Sequence, residues 1–189
     1  KIEKSIKMNS KGTDVIFVGR LIKEKRLDKW IDMLRKAHDI DGSIKGTIIG
    51  EGIESSKLRK IIKESGMDEI VTMAGKIANT EELYGKIAAS KLMLNMSERE
   101  GLSIITLESL ALGTPVLLPS YTPIPKEVKE MCIIEKEKNI PAKIVEVCRS
   151  NDKSKYLKDR KQLENYYTYN IARYYSIVFK KLGIIRQTP

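Results

Sequence analysis

The chain has 189 residues, 41% of them hydrophobic and 32% charged. That balance suits a single folded domain and excludes disorder, a collagen-like repeat and a disulfide scaffold. The net charge of +10, from 35 Lys and Arg against 25 Asp and Glu, points to a polyanionic partner or to a lysine-rich solvated surface.

Residues 1–12 are polar and end in Ser10-Lys11-Gly12, which predicts a linker. Val15–Val18 is a short apolar run closed by Gly19, the pattern of a buried strand. Leu27, Trp30, Ile31, Leu34 and Ala37 recur at helical spacing, with one face inward. Strands are predicted at 47–49, 70–74, 92–94, 116–118 and 132–134. Between them lie helices at 54–65, from Thr80 onward with Asn79 or Thr80 as cap, and at 103–112 ended by Gly113. Residues 140–149 and roughly 155–182 also read as helices.

Short, continuously apolar strands separated by helices of about ten residues indicate a parallel sheet covered on both faces. The expected fold is therefore α/β: a Rossmann-like, doubly wound, mostly parallel sheet of about six strands with C-terminal helices. No apolar stretch approaches the ~18 residues of a membrane span, and the first residues hold no apolar run of the signal-peptide kind. Cys132 and Cys148 lie outside any CxxC pair and read as reduced core thiols, so the expected compartment is cytoplasmic.

In this fold class ligands bind beyond the carboxyl ends of the strands. Gly19-Arg20 and Lys25 follow the first strand, and Gly50-Glu51-Gly52 follows the second. Ser97-Glu98-Arg99-Glu100-Gly101-Leu102-Ser103 follows the fourth and leads into the helix that carries Glu108. A helix N-terminus preceded by glycine offers amides and a positive dipole end to phosphate. Arg and Lys supply the countercharge that a diphosphate needs. A carboxylate such as Glu108, on an otherwise apolar helix, can accept two hydrogen bonds from a vicinal diol, or can simply face solvent.

Together, Val18-Gly19-Arg20-Leu21 with Lys25, Ile49-Gly50-Glu51-Gly52, Ala74-Gly75-Lys76 and Glu100 through Glu108 to Leu112-Gly113-Thr114-Pro115-Val116 resemble the nucleotide-sugar-binding half of a family 4 (group 1) glycosyltransferase of the GT-B fold. The resemblance covers about residues 14–130 and the C-terminal helices more weakly. It implies retaining transfer of a hexosyl group from a nucleoside diphosphate sugar, UDP-linked, to an acceptor hydroxyl, with no metal or other cofactor. Arg20 and Lys25 match the cations on the diphosphate, Glu108 the ribose glutamate and Glu100 the one facing the donor sugar; Glu100, Arg20 and Lys25 are the expected catalytic set. The amides of Gly101, Leu102, Ser103 and Ile104 would lie against sugar and diphosphate. Lys76 and Ile77 match the base site, and Gly19, Gly50 and Gly52 would allow close approach to the nucleotide.

Three departures accompany the match. Arg26 stands where the family has glycine, residues 122–127 replace a glycine-containing segment, and the glycine-rich turn before the last strand is missing near 131–134. The fold has two such domains, so the resemblance makes residues 13–189 the donor half of a protein whose acceptor-binding N-terminal domain is elsewhere, and the non-methionine first residue is read the same way.

Other readings of the same residues are weaker. Asp39-Ile40-Asp41 is a DxD, the metal–diphosphate signature of another glycosyltransferase class, but it precedes Gly42-Ser43 and reads as a turn. Gly50-x-Gly52-x-x-Ser55 is an incomplete dinucleotide fingerprint, placed after the second strand instead of the first. His38 reads as a helix-end residue. Tyr166, Tyr167, Tyr169, Tyr174 and Tyr175 could stack on nucleic acid, although Tyr167, Ile171, Tyr174 and Val178 fit a packing stripe. The alternative function is a non-catalytic basic module that holds nucleotide or nucleic acid. Residues 121–189 carry +7 of the charge, an expected aid to association with an anionic membrane face. The helix at 155–182 is expected to cross to the missing domain and to be partly exposed without it.

Overall fold

The computed structural model describes residues 12–150 and 152–157. Six strands form one sheet: β1 (Val15–Val18), β2 (Gly46–Ile49), β3 (Val71–Gly75), β4 (Leu92–Leu94), β5 (Val116–Pro119) and β6 (Ile133–Glu135). All pairings are parallel, in the order β3-β2-β1-β4-β5-β6. The helices are α1 (Leu27–Ile40), α2 (Ser55–Glu64), α3 (Thr80–Ala89), α4 (Ile104–Ala111), α5 (Lys126–Glu130) and α6 (Ile140–Arg149). This is the doubly wound arrangement, and its strand order reverses between β1 and β4.

Successive strand side chains alternate between the two faces. Val15, Phe17, Ile48, Leu92, Leu94 and Leu117 join one core with Trp30, Leu34 and Ala37 of α1, Leu58 and Ile62 of α2, and Ile144 and Val147 of α6. Ile16, Met93, Val116 and Leu118 are equally buried and by alternation belong to the opposite face; there α4 packs beside β5 and contributes buried Leu107 and Leu110. Gly46 admits α1 to the sheet, because a Cβ there would lie 2.6 Å from both the Trp30 ring and Leu34 Cδ2. Cys132 and Cys148 are both buried, and burial pushes the Cys148 thiol up to about 12.

Every predicted strand lies within two residues of its observed limits. Asn79 is the cap of α3, its Oδ1 accepting from the Glu82 amide at 2.9 Å, and Gly113 ends α4 at φ +77°. The short α5 follows Pro123 and Pro125 and is not among the predicted helices, since five residues show no helical period. Residues 153–156 form a 3₁₀ turn and Leu157 is extended, so the predicted final helix does not begin at 155. The reason is local: Asp152 accepts from the Ser154 amide and hydroxyl, and Lys153 Nζ donates to the carbonyls of Ala88 and Ser90. The rest of that predicted helix, with its tyrosine stripe, and residues 1–11 of the predicted linker at 1–12 lie outside the described residues. Among the described residues no helix is long and apolar enough to cross a membrane.

The DxD segment folds as a turn. Asp39 pairs with Arg35, and the Asp41 carboxylate accepts from the Ser43 hydroxyl at 2.7 Å and from Arg149 Nε at 2.7 Å. Ser43 and then Arg149 hold the Asp41 carboxyl down to about 2. That is below the ordinary value of ~3.9. Its stabilising contribution is complete above about pH 4 and is lost as the pH falls through about 2. Thermal melts between pH 5 and 2 should show wild type losing stability more steeply than Asp41→Asn. Parallel curves would show that the turn carries no proton-linked stability.

Candidate functional site

Two loops meet at the switch point. After β1 the chain makes a 3₁₀ turn at Lys23–Lys25, and after β4 it runs through Ser97 to Ser103 before α4. The Glu98 amide donates to the Glu24 carbonyl at 3.1 Å, joining the loops through main chain. Buried Asn95 accepts from the Ser97 amide and hydroxyl at 3.0 and 2.6 Å, fixing the exit from β4. The result is an ion pair between residues 75 positions apart: Lys25 Nζ lies 2.6 Å from Glu100 Oε2, with side-chain exposures of 19% and 9%. Arg20 stands exposed on the same edge and makes no side-chain bond among the described residues.

Arg26 takes the left-handed conformation, φ 49° and ψ 47°. The backbone thus needs there the shape that the family's glycine adopts freely, at a cost of about 1 kcal/mol for a side-chain-bearing residue. Asp28 and Glu98 hold the guanidinium in place. A cavity of about 300 Å³ adjoins this loop, lined by Lys23, Arg26, Asp28, Glu54, Lys57 and Glu98 among others. A larger one, about 600 Å³, opens at the amino ends of β1 and β2, between Asp14, Lys45, Thr47 and Lys91. That is the end of a parallel sheet remote from where ligands bind, and neither cavity is lined by Arg20, Lys25, Glu100 or Glu108.

The loops after β1, β2 and β3 are stitched together. Leu21 N donates to Glu51 O at 2.9 Å, Glu54 N to Leu21 O at 3.0 Å and Gly50 N to Gly75 O at 2.8 Å. A Cβ at Gly50, where φ is +141°, would lie 1.8 Å from the Gly19 carbonyl oxygen, and one at Gly52 would lie 2.3 Å from that of Leu21. Backbone packing within the protein therefore demands both glycines, whatever either does for a ligand. Gly50→Ala should cost about 2 kcal/mol or more, read as a lowered midpoint in urea. An unchanged midpoint would show that the two loops separate freely. The partial dinucleotide fingerprint closes on itself, the Ser55 hydroxyl donating to the Gly52 carbonyl at 2.6 Å.

Lys76 lies after β3 and pairs across the edge with Glu51 at 3.3 Å, both exposed, and Ile77 beside it is half-buried. At the start of α4, Ser103 caps with its carbonyl only. Its hydroxyl accepts from Thr106 Oγ1 at 2.9 Å and leaves the first-turn amides without a side-chain partner. Gly101 and Ile104 are exposed, Leu102 half-buried and Ser103 buried. Glu108 is half-buried, and Tyr84 of α3 donates to its Oε1 at 2.6 Å. Sequence reasoning found neither this bond nor the Lys25–Glu100 pair; nothing in local spacing links α3 to α4 or the first loop to the fourth.

The remaining departures are resolved locally. Chain leaves α5 through Met131 in right-handed conformation and enters β6 directly, so no glycine turn is required there. His38 Nδ1 lies 2.9 Å from the Ile44 carbonyl oxygen. Among the described residues no group of three His, Cys, Asp or Glu is placed to hold a metal. Of the net +10, residues 1–11 carry +3 and residues 158–189 carry +5. Most of the basic excess therefore falls outside the described residues.

Comparison with known proteins gives a consistent picture. The profile of the family described as glycosyl transferases group 1 matches residues 1–168. The N-acetyl-alpha-D-glucosaminyl L-malate synthase of Bacillus anthracis is 27% identical over 116 residues, 61% of this chain and 29% of that protein. A structure of S. aureus TarM in complex with Fondaparinux, alpha-GlcNAc-glycerol and UDP superposes with TM-score 0.70 at 21% identity, covering 84% of this chain and 32% of that one. The C-terminal domain of a glycosyl transferase group 1 family protein, LpcC from Francisella tularensis, superposes with TM-score 0.66 at 20% identity, covering 84% and 85%. The chain thus spans under a third of the B. anthracis relative and nearly all of the isolated C-terminal domain.

Proposed function

The chain belongs to the glycosyl transferases of group 1, and from that premise we propose that it is the donor-binding half of a retaining hexosyltransferase that uses a UDP-sugar. The observation that carries the reading is the convergence of Arg20, Lys25, Glu100 and the α4 N-terminus at the β1/β4 switch point.

In this reading Arg20 and Lys25 bind the diphosphate, and the free amides at Gly101–Ile104 add dipoles of the same sign. Glu108 accepts from the ribose hydroxyls, Glu100 from the donor sugar, and the edge around Lys76 and Ile77 takes the base. The bond between the anomeric carbon and the diphosphate oxygen breaks, and the acceptor oxygen bonds to that carbon on the same face. The acceptor's proton passes to the departing phosphate oxygen, so no protein carboxylate need become a covalent nucleophile. The two cations stabilise charge on the leaving diphosphate, the role a metal ion would otherwise fill. The acceptor is bound by an N-terminal domain beyond this chain, so the isolated chain binds donor without turning it over. The same reading puts the protein in the cytoplasm, with the basic excess of residues 121–189 against an anionic membrane face.

Ligand-induced thermal shift tests it. UDP at micromolar concentration should raise the melting temperature of the chain, and GDP should do so less. Salt-sensitive oligonucleotide binding with no shift from any nucleoside diphosphate would overturn the reading in favour of a non-catalytic basic module.

A further inference from the structure

We infer that Tyr84 is a positioning residue that orients the Glu108 carboxylate for recognition of a ribose diol. The inference rests on the assignment of Glu108 to the ribose. Tyr84 sits in the second turn of α3, the crossover that carries the chain from edge strand β3 back past β2 and β1 to β4. That route lays α3 beside α4. Thr114, just beyond α4, ties the two elements with a hydroxyl donated to the Ile87 carbonyl at 2.7 Å. The Tyr84 hydroxyl then reaches Glu108 Oε1 at 2.6 Å, in a half-buried setting.

A glutamate has three rotatable bonds and ordinarily samples many orientations. A short O–H···O⁻ bond from a rigid phenol removes most of that freedom. It occupies one lone pair of Oε1 and leaves Oε2 wholly available, with one further lone pair on Oε1. A carboxylate held this way accepts from two adjacent hydroxyls without first being ordered, and ordering is a cost the ligand would otherwise bear. α3 contributes only Gly85 and Ile87 to the buried interior. Tyr84 is thus placed by the backbone of α3 with its hydroxyl on Glu108, and removing that hydroxyl leaves the buried residues of α3 untouched.

The test is calorimetry on the chain with UDP and with 2′-deoxy-UDP, for wild type and Tyr84→Phe. Wild type should prefer UDP by about tenfold, one charge-assisted hydrogen bond. Tyr84→Phe should weaken UDP by about three- to tenfold and 2′-deoxy-UDP much less, so that the preference shrinks. A role in packing alone would weaken both nucleotides equally and lower the melting temperature, and equal losses overturn the inference. In a Glu108→Gln background, adding Tyr84→Phe should change nothing further. Wild type that binds both nucleotides equally would overturn the ribose assignment itself. Wild-type preference that survives Tyr84→Phe intact would leave that assignment standing and overturn only the role of Tyr84.

Discussion

Lys25→Ala, made in the intact enzyme, is expected to lower turnover by about 10²-fold or more, equivalent to about 3 kcal/mol of transition-state stabilisation. The lysine's charge would act on the leaving diphosphate, where negative charge grows as the glycosidic bond breaks. A metal chelator should leave wild-type activity unchanged; activity lost in chelator and restored by Mn²⁺ would overturn the metal-free assignment. The structure adds a complication. Lys25 is paired with Glu100, and that carboxylate is only 9% exposed. Removing the lysine alone strands a mostly buried anion beside the diphosphate site, which is costly in its own right. The double variant Lys25→Ala/Glu100→Gln separates the two effects. If the lost contact to diphosphate dominates, UDP affinity stays low in the double variant. If the stranded carboxylate dominates, UDP affinity returns, and Lys25 is not the cation the mechanism needs.

The two glutamates should part company in the same calorimeter. Glu108→Gln should weaken UDP itself by about tenfold or more, since hydrogen bonds to a charged group contribute about 1.5–3 kcal/mol each. Glu100→Gln should raise UDP affinity, because the substitution releases Lys25 from its partner. It should weaken only the sugar-bearing donor. The ion pair gives the change its direction: a free cation binds diphosphate better than a neutralised one. Equal losses of UDP affinity in both variants would end the division of roles between them.

Much of this protein was legible one segment at a time. Short apolar runs closed by Gly19 and Gly50 marked strands, and Leu27 through Ala37 marked a helix by its period. Gly113 marked a helix end, and the alternation of the two element types marked a parallel sheet. These signals are local: each depends on residues within a turn or two, where backbone sterics and one-sided burial act directly. The placement of Arg20, Lys25 and Glu100 at strand ends followed from the same alternation. Arg26 looked like a departure from a glycine pattern, and its backbone takes the left-handed conformation that glycine adopts freely.

Other features were decided only when the chain closed. Lys25 meets Glu100 because β1 and β4 are neighbours, and that adjacency is a property of strand order, which no spacing along the chain encodes. Tyr84 meets Glu108 because a crossover from the sheet edge must return over one face to reach β4. Gly50 and Gly52 owe their identity to carbonyl groups of Gly19 and Leu21, some thirty residues earlier. The physical reason is common to all three. A residue's intrinsic preference sets its own backbone, whereas which side chains then touch is set by how whole elements bury their apolar faces against one another.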